Sequence, residues 1–357
     1  MSADMDQLQG MQAKAKSMAS AVAASLPEAI PWSRSYHLPT DLKNYARLRI
    51  VRVVAAGVVM LWCASVFGLF ASATKVKISL PSLVDGDVLD RNSTERLPLI
   101  PPNIYQIFLG WEPDKAKDYS DNILSWIGKS PSYSYTLLDD EGAQSIVSKL
   151  AESSTHAHIL PVFYAMGRRV MRVDFLRYLL LALEGGVYSD IDTELLKPVH
   201  DWVPKALQNS TRLIVGIEAD HSPPIAGTTY ETQFCQWTLA GAPGHPVLWR
   251  MVDKVLDTIR TRPFSAHSVD YSNDEVLGIG GPAGWTETIY EYLSDEAGEP
   301  VTWRNLTGMT EPKLFGDVLV LPIDGFASNV GHSGSHGDQA PGAMVKHHFK
   351  GSWRGGN

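Results

Sequence analysis

The sequence predicts an α/β domain that is preceded by one membrane-spanning helix. Apolar residues recur at helical spacing from 168 to 184, and Gly185 and Gly186 end that helix directly before a short strand. Strand and helix patterns alternate between residues 97 and 150, which is typical of α/β domains. Far upstream, residues 53–73 include no charged residue and are numerous enough to cross a bilayer as a helix.

Composition limits the classes of protein and of partner. The chain has 357 residues, of which 44% are hydrophobic and 20% are charged, so it can bury one large core or two small ones. Its formal net charge of −8 argues against nucleic acid as a main partner. The 2 cysteines exclude a disulfide framework.

The N-terminal third divides into three segments. Residues 1–52 are rich in small and polar side chains and are predicted to be a mostly disordered tail; residues 53–73 are the predicted anchor, and 74–96 a short stem. Basic residues cluster before the anchor, so the tail is expected to be cytoplasmic and the remainder lumenal. A transit peptide, a cleaved signal peptide and a buried core helix are the alternatives. The basic residues are Lys43, Arg47, Arg49 and Arg52.

Residues 97–357 are predicted to form a single globular domain. Its predicted elements are strands at 100–111, 133–138, 187–191, 213–218 and 318–322, and helices at 114–128, from 139, at 168–184 and at 247–259. The segment 325–342 is rich in Gly, Ser and His, and its length suggests a mobile flap.

The stretch from 168 to 202 organises the domain. Asp174 and Arg177 lie one turn apart on its helix, so they share a face. Asp190 and Asp192 alternate by two, so both should point to one side of an extended chain at a strand's C-terminal end. Two aligned carboxylates suit a divalent cation that holds a diphosphate. The alternative is that they only cap a turn.

These residues resemble the core of glycosyltransferase family 32, which includes fungal Golgi mannosyltransferases. The resemblance extends over roughly residues 97–353. It is carried by an opening block, Ile104-Tyr105-Gln106-Ile107-Phe108; by Asp174-Phe-Leu-Arg177-Tyr178; by Gly185-Gly186-Val-Tyr188-Ser-Asp190-Ile-Asp192; and by a terminal His347-His348-Phe-Lys-Gly-Ser352-Trp353. Tyr105 and Phe108 stand where the family usually has His and Trp.

The resemblance implies a nucleotide-diphospho-sugar transferase fold of the GT-A type and a site for Mn²⁺. Asp192 would ligate the ion, and Asp190 would share it or bind the donor. His348 is the expected third ligand, with its neighbour His347 as the alternative.

The resemblance also assigns roles to other side chains. Glu218 would face the acceptor and act in catalysis beside Asp190 and Asp192; a solvated strand-end carboxylate is the alternative. The implied donor-binding residues are Tyr105, Gln106, Asp174, Arg177, Tyr178, Ser352 and Trp353.

The expected reaction is transfer of mannose from GDP-mannose to a protein-linked N-glycan, with retention of configuration, by a single-pass type II Golgi membrane protein. Alternatives are a mannosyl- or galactosyltransferase that acts on inositol-phosphoceramide or another glycolipid, an enzyme that uses UDP-galactose or UDP-glucose, and a non-catalytic lumenal carbohydrate-binding protein. A complex with other Golgi glycosyltransferases is a further expectation. The sequons at Asn92, Asn209 and Asn305 fit a lumenal domain.

Overall fold

The computed structural model describes residues 99–110, 113–153, 155–262, 271–331 and 333–350. The predicted tail, anchor and stem, and also Ser352 and Trp353, lie outside these ranges. Within them, no helix is both long and apolar enough to cross a membrane.

A mixed β-sheet forms the centre of the domain. Its strands are β1 (Asn103–Ile107), β2 (Ser134–Leu138), β3 (Gly186–Ser189), β5 (Leu213–Asp220), β6 (Thr232–Phe234), β7 (Thr238–Gly241), β8 (Lys313–Phe315) and β9 (Val318–Leu321). The order is β2-β1-β3-β7-β5-β9-β8, with β6 paired to β5. The pairs β1–β2, β1–β3 and β5–β9 are parallel, whereas β7 runs antiparallel to both of its neighbours. The carboxyl ends of β3 and β5 therefore meet at one edge of the sheet.

Helices cover both faces of this sheet, as the alternating pattern predicted. They are α1 (Ser120–Lys129), α2 (Asp140–Ala151), α3 (Ile159–Ala165), α4 (Arg169–Glu184), α5 (Pro246–Thr261), α6 (Asn273–Ile279), α7 (Pro282–Ala297) and α8 (Asp324–Ala327), with short 3-10 turns at Pro113–Tyr119, Val199–Asp201, Lys205–Leu207 and Trp303–Asn305. The larger core joins α4, α5 and α7 to one face. A second core centred on Trp126, Trp202 and Phe326 fills the other face.

Helix α4 and strand β3 agree with the predicted helix, double glycine and strand. Gly185 and Gly186 adopt φ of 64° and 117°, a backbone region that favours glycine. A Cβ atom at Gly186 would lie 2.7 Å from the backbone oxygen of Asn103 on β1. The glycine pair thus lets the chain reverse against β1, so that Asp190 follows directly after β3.

A second, two-stranded sheet brings the C-terminal segment to the same edge. Strand β4 (Thr193–Leu195) pairs antiparallel with β10 (Val345–His347), and Thr193 is the register partner of His347. The His348 N–H also donates to the Asp192 carbonyl at 3.0 Å. Residues about 155 positions apart are therefore neighbours.

The described part of the segment predicted to be a flap is folded against the domain. Asp324 accepts hydrogen bonds from the backbone N–H and the Nδ1 of His336, at 2.6 and 2.9 Å. Asp338 pairs with Lys346 at 2.6 Å. These contacts connect the segment to α8 and β10.

Candidate metal and sugar-nucleotide site

Three candidate ligands converge at the carboxyl edge of β3. Within the described residues, one group of side chains could hold a metal ion: Asp190, Asp192 and His347, whose donor atoms lie within 4.8 Å of one another. Two carboxylates and one imidazole suit Mn²⁺. His347 Nε2 lies 3.1 Å from Asp192 Oδ1, so the two side chains already share a hydrogen bond.

Hydrogen bonds from neighbouring segments hold the backbone of the turn that carries Asp190 and Asp192. The Asp190 carbonyl accepts hydrogen bonds from Gln106 Nε2 at 2.9 Å and from Thr193 Oγ1 at 2.6 Å. The Asp190 N–H donates to the Trp237 carbonyl at 2.8 Å. Strands β1, β4 and β7 therefore fix the backbone, and both carboxylates are preorganised before any ligand binds.

Arg177 stands between two carboxylates. Its Nη2 atom lies 2.8 Å from Asp174 Oδ1 and 3.4 Å from Asp190 Oδ1, and both Arg177 and Asp174 are buried. The guanidinium also donates to the Gln236 carbonyl at 2.8 Å and lies 4.7 Å from the centre of the Tyr188 ring. This places the predicted Asp174–Arg177 pair directly behind the metal group.

The charges of this cluster do not balance without a ligand. Burial raises the pKa of Asp174 to about 7 and also raises the pKa of Asp190, although the charge of Arg177 lowers both. Despite burial, the neighbouring carboxylates raise the pKa of Arg177, which stays charged. The Tyr188 hydroxyl donates to Asp190 Oδ1 at 2.5 Å, which leaves the second carboxylate oxygen for an ion.

Asp192 is held in its ionised form. Burial alone would raise its pKa, but the hydrogen bond and charge of His347 and the Lys350 N–H lower it below the usual range. The Lys350 N–H donates to Asp192 Oδ2 at 2.9 Å. His347 stacks on Trp237 with ring centres 4.7 Å apart, and its buried Nδ1 has no hydrogen-bond partner among the described residues.

The structure corrects the predicted third ligand. His348 points away from the aspartate pair, and its Nε2 lies 3.2 Å from Glu194 Oε2. His347, the alternative, is the imidazole that contacts Asp192. Neighbouring residues at the end of a strand point to opposite sides, so only one of the two can face the ion.

Glu218, predicted to face the acceptor, lies near enough to His347 for the charge of the imidazole to act on its carboxyl group. Burial raises its pKa to about 7, although Gln233 and the charge of His347 act in the opposite direction. Gln233 Nε2 donates to Glu218 Oε2 at 2.9 Å, and Gln233 Oε1 accepts from the Thr229 N–H at 2.9 Å. Glu218 is therefore fixed to the loop that follows β5.

Three further residues predicted to bind the donor are buried, as Asp174 and Arg177 are. Gln106 is fully buried beneath Asp190 and accepts from Tyr135 at 2.6 Å. Tyr178 is fully buried, and its hydroxyl donates to Gly280 O at 2.9 Å. Tyr105 faces the larger core, and burial raises its pKa beside Glu184. Side chains alternate between the two covered faces of the sheet along β1, which accounts for Tyr105 and Gln106. Tyr178 lies in a part of α4 that is packed closely on all sides.

Three residues at the site were not predicted from the sequence. Gln236 donates to Asp174 Oδ1 at 3.3 Å, Trp237 stacks on His347, and Tyr188 bonds Asp190. Gln236 and Trp237 directly precede β7. The sequence did not predict that β7 is a central, antiparallel strand, and so it did not predict that these two residues reach the site. Their place beside β3 depends on pairing between segments that lie far apart in the sequence.

Comparison with known proteins gives the site its context. Residues 116–208 match a family model described as a glycosyltransferase sugar-binding region containing a DXD motif. An initiation-specific α-1,6-mannosyltransferase of Candida albicans is 32% identical over 279 residues, which cover 71% of this chain and 72% of that protein. The chain belongs to glycosyltransferase family 32.

Further relatives carry the same description. An initiation-specific α-1,6-mannosyltransferase of Schizosaccharomyces pombe is 41% identical over 232 residues, 64% of this chain. The match spans 58% of that relative's length. A Saccharomyces cerevisiae protein of the same description is 24% identical over 377 residues, which cover 71% of this chain and 78% of the relative. The predicted α/β glycosyltransferase fold and the Asp-x-Asp motif are thereby confirmed.

Proposed function

We propose that this protein is a metal-dependent, retaining mannosyltransferase that moves mannose from GDP-mannose to a protein-linked N-glycan. The observation that carries the proposal is the convergence of Asp190, Asp192 and His347 on one point, directly in front of the buried Asp174–Arg177 pair. Relatives described as α-1,6-mannosyltransferases support mannose as the sugar.

Mn²⁺ fits the donor set on chemical grounds. Two carboxylates and an imidazole lie close enough to share one ion, and the imidazole carries an unpartnered second nitrogen. When bound, the ion supplies positive charge to the diphosphate as it departs. Asp190, Asp192 and His347 would hold it.

Asp174 and Arg177 are oriented to bind the sugar nucleotide. Asp174 and Arg177 present a carboxylate and a guanidinium one turn apart, which suits hydrogen bonds to the donor's sugar and ribose hydroxyls. Gln236 holds Asp174, and Tyr188 holds Asp190, so both carboxylates keep fixed orientations. Such preorganised groups spend no energy on reorientation when charge develops.

Glu218 would meet the acceptor. Its pKa of about 7 keeps part of the population protonated at neutral pH. We assign it to orienting the acceptor hydroxyl, while attack occurs on the same face of the sugar that the diphosphate leaves. This assignment accounts for retention of configuration without a protein nucleophile.

The proposed location is the Golgi membrane, in the single-pass type II orientation. The uncharged segment 53–73 with its preceding basic cluster supports one anchor with a lumenal domain. Protease protection of tagged termini in sealed vesicles checks this. A protected C-terminus with an accessible N-terminus is expected, and the reverse arrangement would contradict it.

Turnover by the purified full-length chain in detergent tests the reaction. With Mn²⁺, GDP-mannose and a high-mannose oligosaccharide, we expect GDP release and mannosyl transfer. Asp192→Asn should lower kcat at least about 100-fold. Glu194→Gln is the matched control, because Glu194 lies in the same region but pairs with His348. Absence of transfer by the unaltered chain, or full activity of Asp192→Asn, overturns the proposal.

A thermal-shift screen tests the donor. In the presence of Mn²⁺, GDP-mannose should raise Tm more than UDP-galactose or UDP-glucose at equal concentration. Preferential stabilisation by a UDP-sugar would assign a different donor.

A further inference from the structure

Phe349 combines two unusual properties at the rim of the site. The residue is 45% exposed, although its side chain is large and apolar. Its backbone adopts φ of 47°, the left-handed region that bulky residues avoid. Strained backbone at non-glycine residues occurs mainly where the surrounding structure enforces it and often where function requires it.

The residues on either side of Phe349 impose this conformation. His347 bonds Asp192 Oδ1 at 3.1 Å, and the Lys350 N–H bonds Asp192 Oδ2 at 2.9 Å. One carboxylate is therefore contacted from both sides of Phe349. The segment must bend tightly between these contacts, and the Phe349 side chain is turned outward.

The bend sends neighbouring side chains to opposite sides of Asp192. Lys350 Nζ donates to the Asp118 carbonyl at 2.8 Å and lies 4.4 Å from the centre of the Tyr119 ring. The Phe349 ring instead contacts His347 and Trp237, with ring centres at 4.0 and 5.4 Å. Phe349 thus faces the Trp237 side, away from Tyr119.

Glu218 is associated with that same side. Gly216, two residues before Glu218 on β5, accepts from the Cys235 N–H at 2.8 Å, and Cys235 lies two residues before Trp237. His347 stacks on Trp237. An exposed aromatic residue and the metal group therefore meet at the His347 imidazole, and the strand that carries Glu218 runs beside the segment that leads to Trp237. A pyranose presents weakly positive C–H groups on one face and hydroxyls at its rim, so it matches an aromatic face beside a carboxyl group.

We propose that the Phe349 ring, backed by Trp237, is the platform on which the accepting sugar of the glycan stacks while Glu218 binds its hydroxyl. The proposal rests on the proposed transferase function and names its acceptor subsite. Phe349 is 45% exposed, so part of its side chain is accessible to a ligand beside its contacts with His347 and Trp237. The platform would select a pyranoside acceptor. It would take no part in binding the donor.

Kinetics of the full-length chain test the platform. Phe349→Ala should raise KM for a high-mannose oligosaccharide about tenfold, in line with loss of an aromatic contact. Phe349→Tyr keeps the aromatic face and should stay within twofold of the unaltered chain. KM for GDP-mannose and GDP release without acceptor should change less than twofold in both variants. Equal changes in the donor and acceptor constants, or an unchanged acceptor KM in Phe349→Ala, would overturn the platform.

Binding without turnover separates this proposal from the transferase assignment. Saturation-transfer NMR with methyl α-mannopyranoside requires no reaction. We expect a signal from the ring C–H protons that persists in Phe349→Tyr and in Asp192→Asn and is lost in Phe349→Ala and in Phe349→Gly, which accepts the left-handed backbone. A signal that remains in Phe349→Ala refutes the platform even if transfer is observed. A Phe349-dependent signal in a chain without transfer supports the sugar site and refutes only the reaction.

Discussion

Arg177 determines the charge balance of the site at the scale of single residues. It is buried between Asp174 and Asp190, and within the described residues it is the cation that forms an ion pair with both carboxylates. Its removal leaves Asp174 buried and unpaired. We expect Arg177→Met to lower the free energy of unfolding by about 3–5 kcal/mol at pH 8.

The loss should be smaller at pH 6, because the pKa of Asp174 is already raised to about 7 and protonation then becomes easy. Asp174→Asn/Arg177→Met should recover part of the stability, since it removes the orphaned charge as well. Urea denaturation at both pH values measures these differences. An equal loss in the single and double variants would show that charge pairing is not the cause.

The two neighbouring histidines provide a matched pair of substitutions. His347→Ala should weaken Mn²⁺ binding at least about tenfold, because it deletes a ligand. His348→Ala should change it less than twofold, because His348 pairs with Glu194. Isothermal titration with Mn²⁺ compares the two directly, and the reverse ranking would restore His348 as the ligand.

Glu218 predicts a pH dependence of stability. Its folded-state pKa of about 7 exceeds its ordinary value of 4.5, so the folded state disfavours the ionised form. Stability should therefore be greatest below the ordinary pKa and fall as pH rises through 7, by about 1–3 kcal/mol for this group. Glu218→Gln should flatten the decline between pH 5 and 8 in urea denaturation of the metal-free protein. If the stability of Glu218→Gln falls with pH as steeply as that of the unaltered chain, groups other than Glu218 cause the decline.

Individual roles were predictable only in part. Asp190, Asp192, Asp174 and Arg177 could be placed, because their spacing on a helix and a strand fixes their direction. The choice between His347 and His348 could not be made, since it depends on the register of a three-residue strand. Burial of Tyr105 and Tyr178 depends on which face of β1 and α4 meets the core.

At the scale of elements, the glycine turn between α4 and β3 positions the metal group. A side chain at Gly186 would meet the Asn103 backbone and would also be strained at φ of 117°. Gly186→Ala should cost about 2–4 kcal/mol and reduce Mn²⁺ affinity, since β3 must shift away from β1.

Gly128 is the matched control for that substitution. It lies in α1, where an added Cβ has no neighbour within 4 Å. Gly128→Ala should raise stability by up to about 1 kcal/mol. Thermal unfolding of both variants separates a steric effect from a general intolerance of Gly→Ala changes. Equal destabilisation would contradict the assigned role of Gly186.

The elements themselves were largely predictable, because hydrophobic periodicity and glycine positions act locally. Helix α4, strand β3 and helix α5 agree with their predicted ranges, and His245 caps α5 by accepting from the Val247 N–H at 3.2 Å. Pairing between strands was not predictable. The central, antiparallel place of β7 depends on contacts between segments far apart in sequence.

At the scale of the whole domain, the site is assembled from two distant parts of the chain. The small sheet of β4 and β10 joins them and presents His347 to the aspartate pair. The family resemblance of the terminal block had suggested this meeting, but only the folded chain supplies the register. Asp190, Asp192 and His347 thus form one metal group through long-range pairing, and the central claim is that this group binds Mn²⁺ together with the donor's diphosphate.

Electron–nuclear double resonance of Mn²⁺ bound with GDP tests that claim most directly, because it identifies nuclei coupled to the ion. The account predicts both a histidine nitrogen and a phosphate phosphorus coupling in the full-length chain. The nitrogen coupling should vanish in His347→Ala and remain in His348→Ala. An ion that shows no phosphorus coupling, or a nitrogen coupling that survives in His347→Ala, would contradict the account.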